Sequence, residues 1–155
     1  MKINFADRQY KNLIKMAEIG SNIYGILGDV ISEEYKIQSD EIDELRKYLL
    51  SFAGDFNCEN LTEEFRGETI MSDSFSEEMQ EVMDDYDDET FWHELETRLG
   101  KRDFERTMTE IEEIKTKKDG WYPDRICDIY EKYEKEFEEY GIERLEIVSV
   151  RQGNS

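Results

Sequence analysis

Eight of the thirteen side chains from Glu77 to Glu89 are carboxylates: Glu77, Glu78, Glu81, Asp84, Asp85, Asp87, Asp88 and Glu89. Neither a sheet interior nor a helix buried on all sides can hold such a run, because an ionised carboxylate removed from water without a partner is very costly. What remains is a helix with a narrow apolar stripe. Met79, Val82, Met83 and Tyr86 have the three-and-four spacing of that stripe, and Ser76 stands where an N-cap belongs. At 1.5 Å of rise per residue the run carries about one charge per 2.4 Å of helix, close to the roughly 1.7 Å of duplex DNA.

The acidity is concentrated rather than spread. Residues 59–90 hold thirteen acids and a single base, Arg66, whereas residues 91–127 hold nine acids and eight bases. Over the whole chain of 155 residues the net charge is −20, which opposes binding to nucleic acid backbones and anionic membranes over most of the surface. Leu, Ile, Val and Phe number 36, so a core is affordable but thin.

The rest of the chain reads as further amphipathic helices. Asp7 caps one whose apolar positions run from Tyr10 through Leu13, Ile14, Ala17 and Tyr24 to Leu27. Gly20, Gly25 and Gly28 in its second half imply either a break or a close helix crossing. They do not form a phosphate loop, since no Lys-Ser or Lys-Thr follows and no strand precedes. Ser39 is expected to start a second helix through Ile42, Leu45, Leu49 and Phe52, with Gly54 as its terminal cap. A stripe of Phe91, Trp92, Leu95 and Leu99 is interrupted by Gly100 and resumes with Phe104, Met108, Ile111 and Ile114, ending in Lys115, Lys117 and Lys118 before Asp119-Gly120. After Pro123 a last helix turns Ile126, Ile129, Tyr130, Tyr133, Phe137 and Tyr140 inwards and stops at Gly141. Trp92, Trp121 and this tyrosine stripe are assigned to the core.

Alternation of Met1, Ile3 and Phe5, and of Leu145 and Ile147, predicts a short strand at each end, paired with each other so that their backbone groups are satisfied. The expected fold is thus mainly α: a single domain over 1–150 of five or six helices with a minor β pair formed by the N- and C-terminal strands, followed by a flexible tail over 151–155. No apolar run is long enough for a membrane span or signal peptide, so a soluble cytoplasmic protein is expected. Cys58 and Cys127, far apart and outside any CxxC spacing, read as two buried free thiols.

Motifs with chemistry fall short. His93-Glu94 opens the zinc-protease pattern HExxH, but Thr97 stands where the second histidine is required. Asp85, Asp87, Glu89 and Glu96 occupy positions 1, 3, 5 and 12 of a calcium loop, yet Thr90 replaces the glycine of the sharp turn, and Phe91, Trp92, Leu95 and Leu99 favour a helix there. Arg98, Lys101, Arg102 and Arg106 share a face if the helix runs through Gly100, and are expected to pair with carboxylates of this chain or of a second copy. No catalytic residue, resident metal or cofactor is assigned.

The block Asp87-Asp88-Glu89-Thr90-Phe91-Trp92-His93-Glu94-Leu95, followed by Arg98-Leu99 and Arg102-Asp103, and the ending Gly141-Ile142-Glu143-Arg144-Leu145-Glu146-Ile147, resemble segments of an uncharacterised family of small acidic bacterial proteins. The resemblance implies a bacterial or phage setting and carries no activity.

Three functions stay open at this level. The first is a non-enzymatic interaction protein that presents Glu77, Glu78, Glu81, Asp84, Asp85, Asp87, Asp88 and Glu89 to a basic protein partner, including a nucleic-acid-binding protein that it would inhibit by mimicry. The second is a metal-assisted or acid/base enzyme around Asp85, Asp87, Glu89, His93 and Glu96. The third is a housekeeping protein whose acidity serves solubility. The near-neutral 91–127 surface leaves the oligomeric state open.

Overall fold

The computed structural model describes residues 4–146. Among them are five α-helices, α1 (Asp7–Val30), α2 (Glu33–Leu50), α3 (Asp73–Thr107), α4 (Glu110–Asp119) and α5 (Arg125–Tyr140). Two short 3-10 turns and one antiparallel hairpin, β1 (Thr62–Phe65) and β2 (Glu68–Met71), lie between α2 and α3. The chain divides into two compact units, one up to Asp85 and one from Tyr86. None of the described helices is long and apolar enough to cross a membrane.

The mainly helical class is as expected, but the sheet is elsewhere. The terminal strands proposed around Met1–Phe5 and Leu145–Ile147 fall largely outside the described residues, as does the 151–155 tail. Their described parts, Asn4, Phe5, Leu145 and Glu146, are not in strands. The hairpin instead uses Thr62, Phe65, Thr69 and Ile70 around a two-residue turn. Arg66 and Gly67 both have positive φ (54° and 86°), the backbone that suits a tight hairpin and that glycine adopts without strain. Thr62 faces Met71 and Phe65 faces Glu68, and the Thr69 hydroxyl donates across to Glu64 at 2.8 Å.

In the first unit α1 and α2 form an antiparallel pair. α1 runs unbroken through its three glycines. A Cβ on Gly28 would come within 2.9 Å of the Lys36 Cα, so Gly28 marks a close helix crossing. α2 starts seven residues earlier than expected. Ser32, extended at φ −161°, accepts from the Tyr35 amide, with Glu33 and Glu34 at the positive end of the helix dipole. Ser39 lies inside the helix, buried close to Gly25. α2 also ends earlier, at Leu50, and Gly54 sits in the first 3-10 turn, Ala53–Phe56.

The core of this unit joins Tyr10 and Ile14 of α1, Leu50 of α2, Ala53, Cys58 and Leu61 of the connecting turns, and Phe75 and Met79 of α3. Tyr10 stacks on Phe56 at 4.3 Å and donates its hydroxyl to the Leu49 carbonyl, and burial pushes its pKa up to about 12. One charge is buried with it: Glu18, which accepts from Arg46 at 2.8 Å, with Arg46 held in turn by Asp43 at 3.0 Å.

α3 begins at Asp73, not Ser76. The Ser72 carbonyl accepts from Phe75 and Ser76, and the buried Ser72 hydroxyl donates to the Asn60 carbonyl, tying the helix start to the preceding turn. The helix then continues for 35 residues through the gap between the two apolar stripes and through Gly100. In the second unit the buried side chains are Phe104, Ile126 and Phe137. Trp92 approaches Phe137 at 5.5 Å, and the Tyr133 hydroxyl donates to Asp103 at 2.5 Å. Gly100 is buried against the Tyr130 ring, with no room for a Cβ.

The fold corrects several burial assignments. Val82, Tyr86 and Phe91 are exposed, as are Ile111 and Ile114, because α4 buries none of its residues. That helix is held by its ends. Thr109 and Glu112 form a reciprocal capping box, Glu112 accepts from Arg125 at 2.7 Å, and Gly120 closes the helix in the left-handed region. Trp121 is 79% exposed, and only Cys58 of the two thiols is buried.

Candidate functional site

Each carboxylate of the Glu77–Glu89 run lies on α3. Glu77, Glu81, Asp84 and Asp88, spaced four, three and four residues apart, share one strip of the helix, and Glu78, Asp85 and Glu89 share the next. Phe75, Met79 and Met83 occupy the opposite side and are buried, which leaves the acids facing water. The local cause is the four-residue spacing of those three apolar residues, which keeps them on one side of the helix.

Glu78 differs from the other seven. Its carboxylate is paired with Lys15 and, at 3.5 Å, with Lys11 of α1, and the Lys15 hydrogen bond holds its pKa below the ordinary glutamate range. It fastens α3 to α1. The remaining seven are exposed and, among the described residues, have no ion-pair partner. Asp84 accepts only from the Gln80 amide at 2.7 Å, and Asp88 only from the Trp92 indole at 3.0 Å.

In the second unit a cleft of about 320 Å3 lies between α3 and α5. Glu89, His93 and Glu96 line it from α3, and Glu134 and Glu138 from α5, with Trp92 and Phe137 as its apolar wall. Partial burial raises the Glu96 pKa first, and the neighbouring Glu134 charge raises it further, against the lowering effect of His93. Of the residues proposed for an enzyme, Glu89, His93 and Glu96 therefore meet, while Asp85 and Asp87 do not line the cleft. Glu134 and Glu138 were not singled out in the sequence. Their spacing of four residues was visible, but which helix they face is set by tertiary packing.

The calcium-loop alternative fails on backbone grounds, since residues 85–96 are continuous helix. Among the described residues no three His, Cys, Asp or Glu side chains converge in a metal-binding arrangement. The basic face forms as the helix passes Gly100, but it is satisfied locally. Arg98 binds Glu94 at 2.9 Å, Arg102 and Arg106 reach Asp103 at 2.8 and 3.8 Å, and Lys101 lies 5.8 Å from the Tyr122 ring centre.

No family model matches the chain, and no curated protein or solved structure is significantly similar to it.

Proposed function

We propose that the protein is a non-enzymatic interaction protein that presents the α3 carboxylates to a basic protein partner, in a bacterial cytoplasmic setting. The observation that supports this reading is that seven of the eight clustered carboxylates are exposed and lack a cationic neighbour among the described residues. Some acids elsewhere on this chain are matched, as Glu94 with Arg98, Glu113 with Lys117 and Glu136 with Arg144, but what sets the α3 run apart is the number of unpaired carboxylates gathered on one stretch of helix. Unmatched like charges on one helix repel and cost stability, by about 0.2–0.5 kcal/mol for each i,i+4 pair. A basic partner converts that repulsion into attraction. Because the charge density approaches that of a nucleic acid, a nucleic-acid-binding protein inhibited by mimicry is the form of the reading that fits best.

The test compares three proteins in a pull-down eluted by rising salt. They are the native chain, the variant D84N/D85N/D87N/D88N, and a charge-matched control, E33Q/E34Q/D40N/E41Q, altered on the exposed surface of α2. A partner retained by the native chain and the control, lost by the first variant, and released steeply with salt supports the reading. Equal behaviour of all three proteins assigns the acidity to solubility. An acid/base enzyme is the second reading, and it draws on the cleft where His93 meets Glu89 and Glu96.

A further inference from the structure

The sequence places Phe91 and Leu95 in a core stripe, but the fold leaves Phe91 exposed and Leu95 only half-buried. Phe91 is 51% exposed, its ring standing edge-on to Trp92 at 5.0 Å while Trp92 turns towards Phe137. With Asp87, Thr90, Glu94 and Arg98 these two apolar side chains line a shallow, largely open groove along α3 alone. The lining residues recur at intervals of three, one, three, one and three, so the groove follows a single face of the helix.

The groove is not electrically neutral along its length. At its far end Glu94 is neutralised by Arg98. Its near end is bounded by Asp87, with Asp88 the next residue, and neither has an ionic partner among the described residues. An occupant must therefore bring apolar side chains to Phe91 and Leu95 and cations to Asp87 and Asp88, about one helical turn away. An extended polycation without apolar side chains lacks the first, and an uncharged apolar helix lacks the second. A second copy of this chain is opposed by its net charge of −20.

We propose that this face of α3 docks a basic amphipathic helix, with an apolar stripe seated on Phe91 and Leu95 and Lys or Arg side chains directed to Asp87 and Asp88. The inference rests on the acidic-partner reading above and specifies the partner's chemistry. An amphipathic helix laid in an apolar groove, anchored at three- and four-residue intervals, is a recurrent mode of recognition.

The probe is a synthetic 18-residue Leu-Lys-Ala peptide with leucines on one helical stripe, compared with a permuted peptide of the same composition that has no stripe. Affinity is measured by fluorescence anisotropy at low and high salt. The expected results are preference for the striped peptide and a loss of about tenfold in F91A/L95A, since central aromatic anchors dominate such interfaces. T90K, which leaves Phe91 against Trp92 and adds a cation to the groove, is expected to weaken binding similarly, so the test does not depend on F91A/L95A folding normally.

Equal affinity for the two peptides, or full affinity in T90K, overturns the inference. If salt-sensitive binding is nevertheless lost in D84N/D85N/D87N/D88N, the broader acidic-partner reading survives that failure. Absence of any peptide binding overturns the inference too, as does dimerisation of the protein alone that F91A/L95A abolishes.

Discussion

Replacing Gly100 by alanine sets two effects of opposite sign against each other. In an exposed helix interior the change stabilises by about 1 kcal/mol, because alanine is the better helix former. Here the added methyl would lie 2.7 Å from the Tyr130 Cε1 and closer still to Cδ1, well inside van der Waals contact. Forcing a methyl into a packed helix crossing costs typically about 1–3 kcal/mol. The net expectation for G100A is a loss of up to about 2 kcal/mol. In a Y130A background the obstruction is gone, and the same substitution should stabilise by about 1 kcal/mol, a reversal of sign. Both tryptophans, Trp92 and Trp121, lie in the second unit, so urea unfolding followed by tryptophan fluorescence reports on the unit that carries the substitution. If G100A stabilises the native chain, or if its effect is the same in both backgrounds, the close crossing of α3 and α5 at Gly100 is refuted.

Two further outcomes follow from buried or paired charge. R46M leaves the buried Glu18 carboxylate without its cation and is expected to cost about 3 kcal/mol in urea unfolding followed by far-ultraviolet circular dichroism, with E18Q/R46M recovering more than half; a loss below about 1 kcal/mol would contradict the pairing. The Arg125 hydrogen bond, together with those from the Thr109 amide and hydroxyl, holds the Glu112 pKa at about 2, below its ordinary 4.5. A depressed carboxylate pKa stabilises the fold above the unfolded value, and that stability is lost as pH falls from about 4.5 towards 2. Melting temperatures of the native chain should therefore drop more steeply across that window than those of R125M, and parallel curves would argue against the pair.

Much of the helical pattern was legible because three-and-four spacing survives in a charged sequence. Tyr10, Ile14, Met79, Phe104, Ile126 and Phe137 were all placed inwards, and they are buried. The errors have physical causes. Ser39 resembles a cap as closely as Ser32 does, and only the close approach of α1 at Gly25 shows it to be an interior residue. Gly100 resembles a break until Tyr130 is seen filling the space beside it. The hairpin is hidden in the sequence because Glu63, Glu64 and Glu68 mask the strand pattern, and because Arg66-Gly67 lacks the Asn or Asp that usually takes the first positive-φ position of such a turn. At the candidate site the carboxylates and their helix could be read directly. The exposure of Phe91, the diversion of Glu78 to Lys15 and the meeting of Glu96 with Glu134 depend on contacts between segments far apart in sequence.

The stretch of α3 from Asp84 to Glu89 lies just beyond the last buried methionine, Met83, and every one of its six side chains is exposed. Its backbone hydrogen bonds are therefore screened from water by little besides mutually repelling carboxylates, while buried residues support the helix on either side. Amide protons here should exchange with solvent faster than those around Met79 or Phe104, through local opening that needs no wider unfolding. A cationic partner would slow that exchange by neutralising the repulsion. The segment then acts as a reporter of its own occupancy, since the residues that attract the partner are those whose backbone protection its arrival would change most.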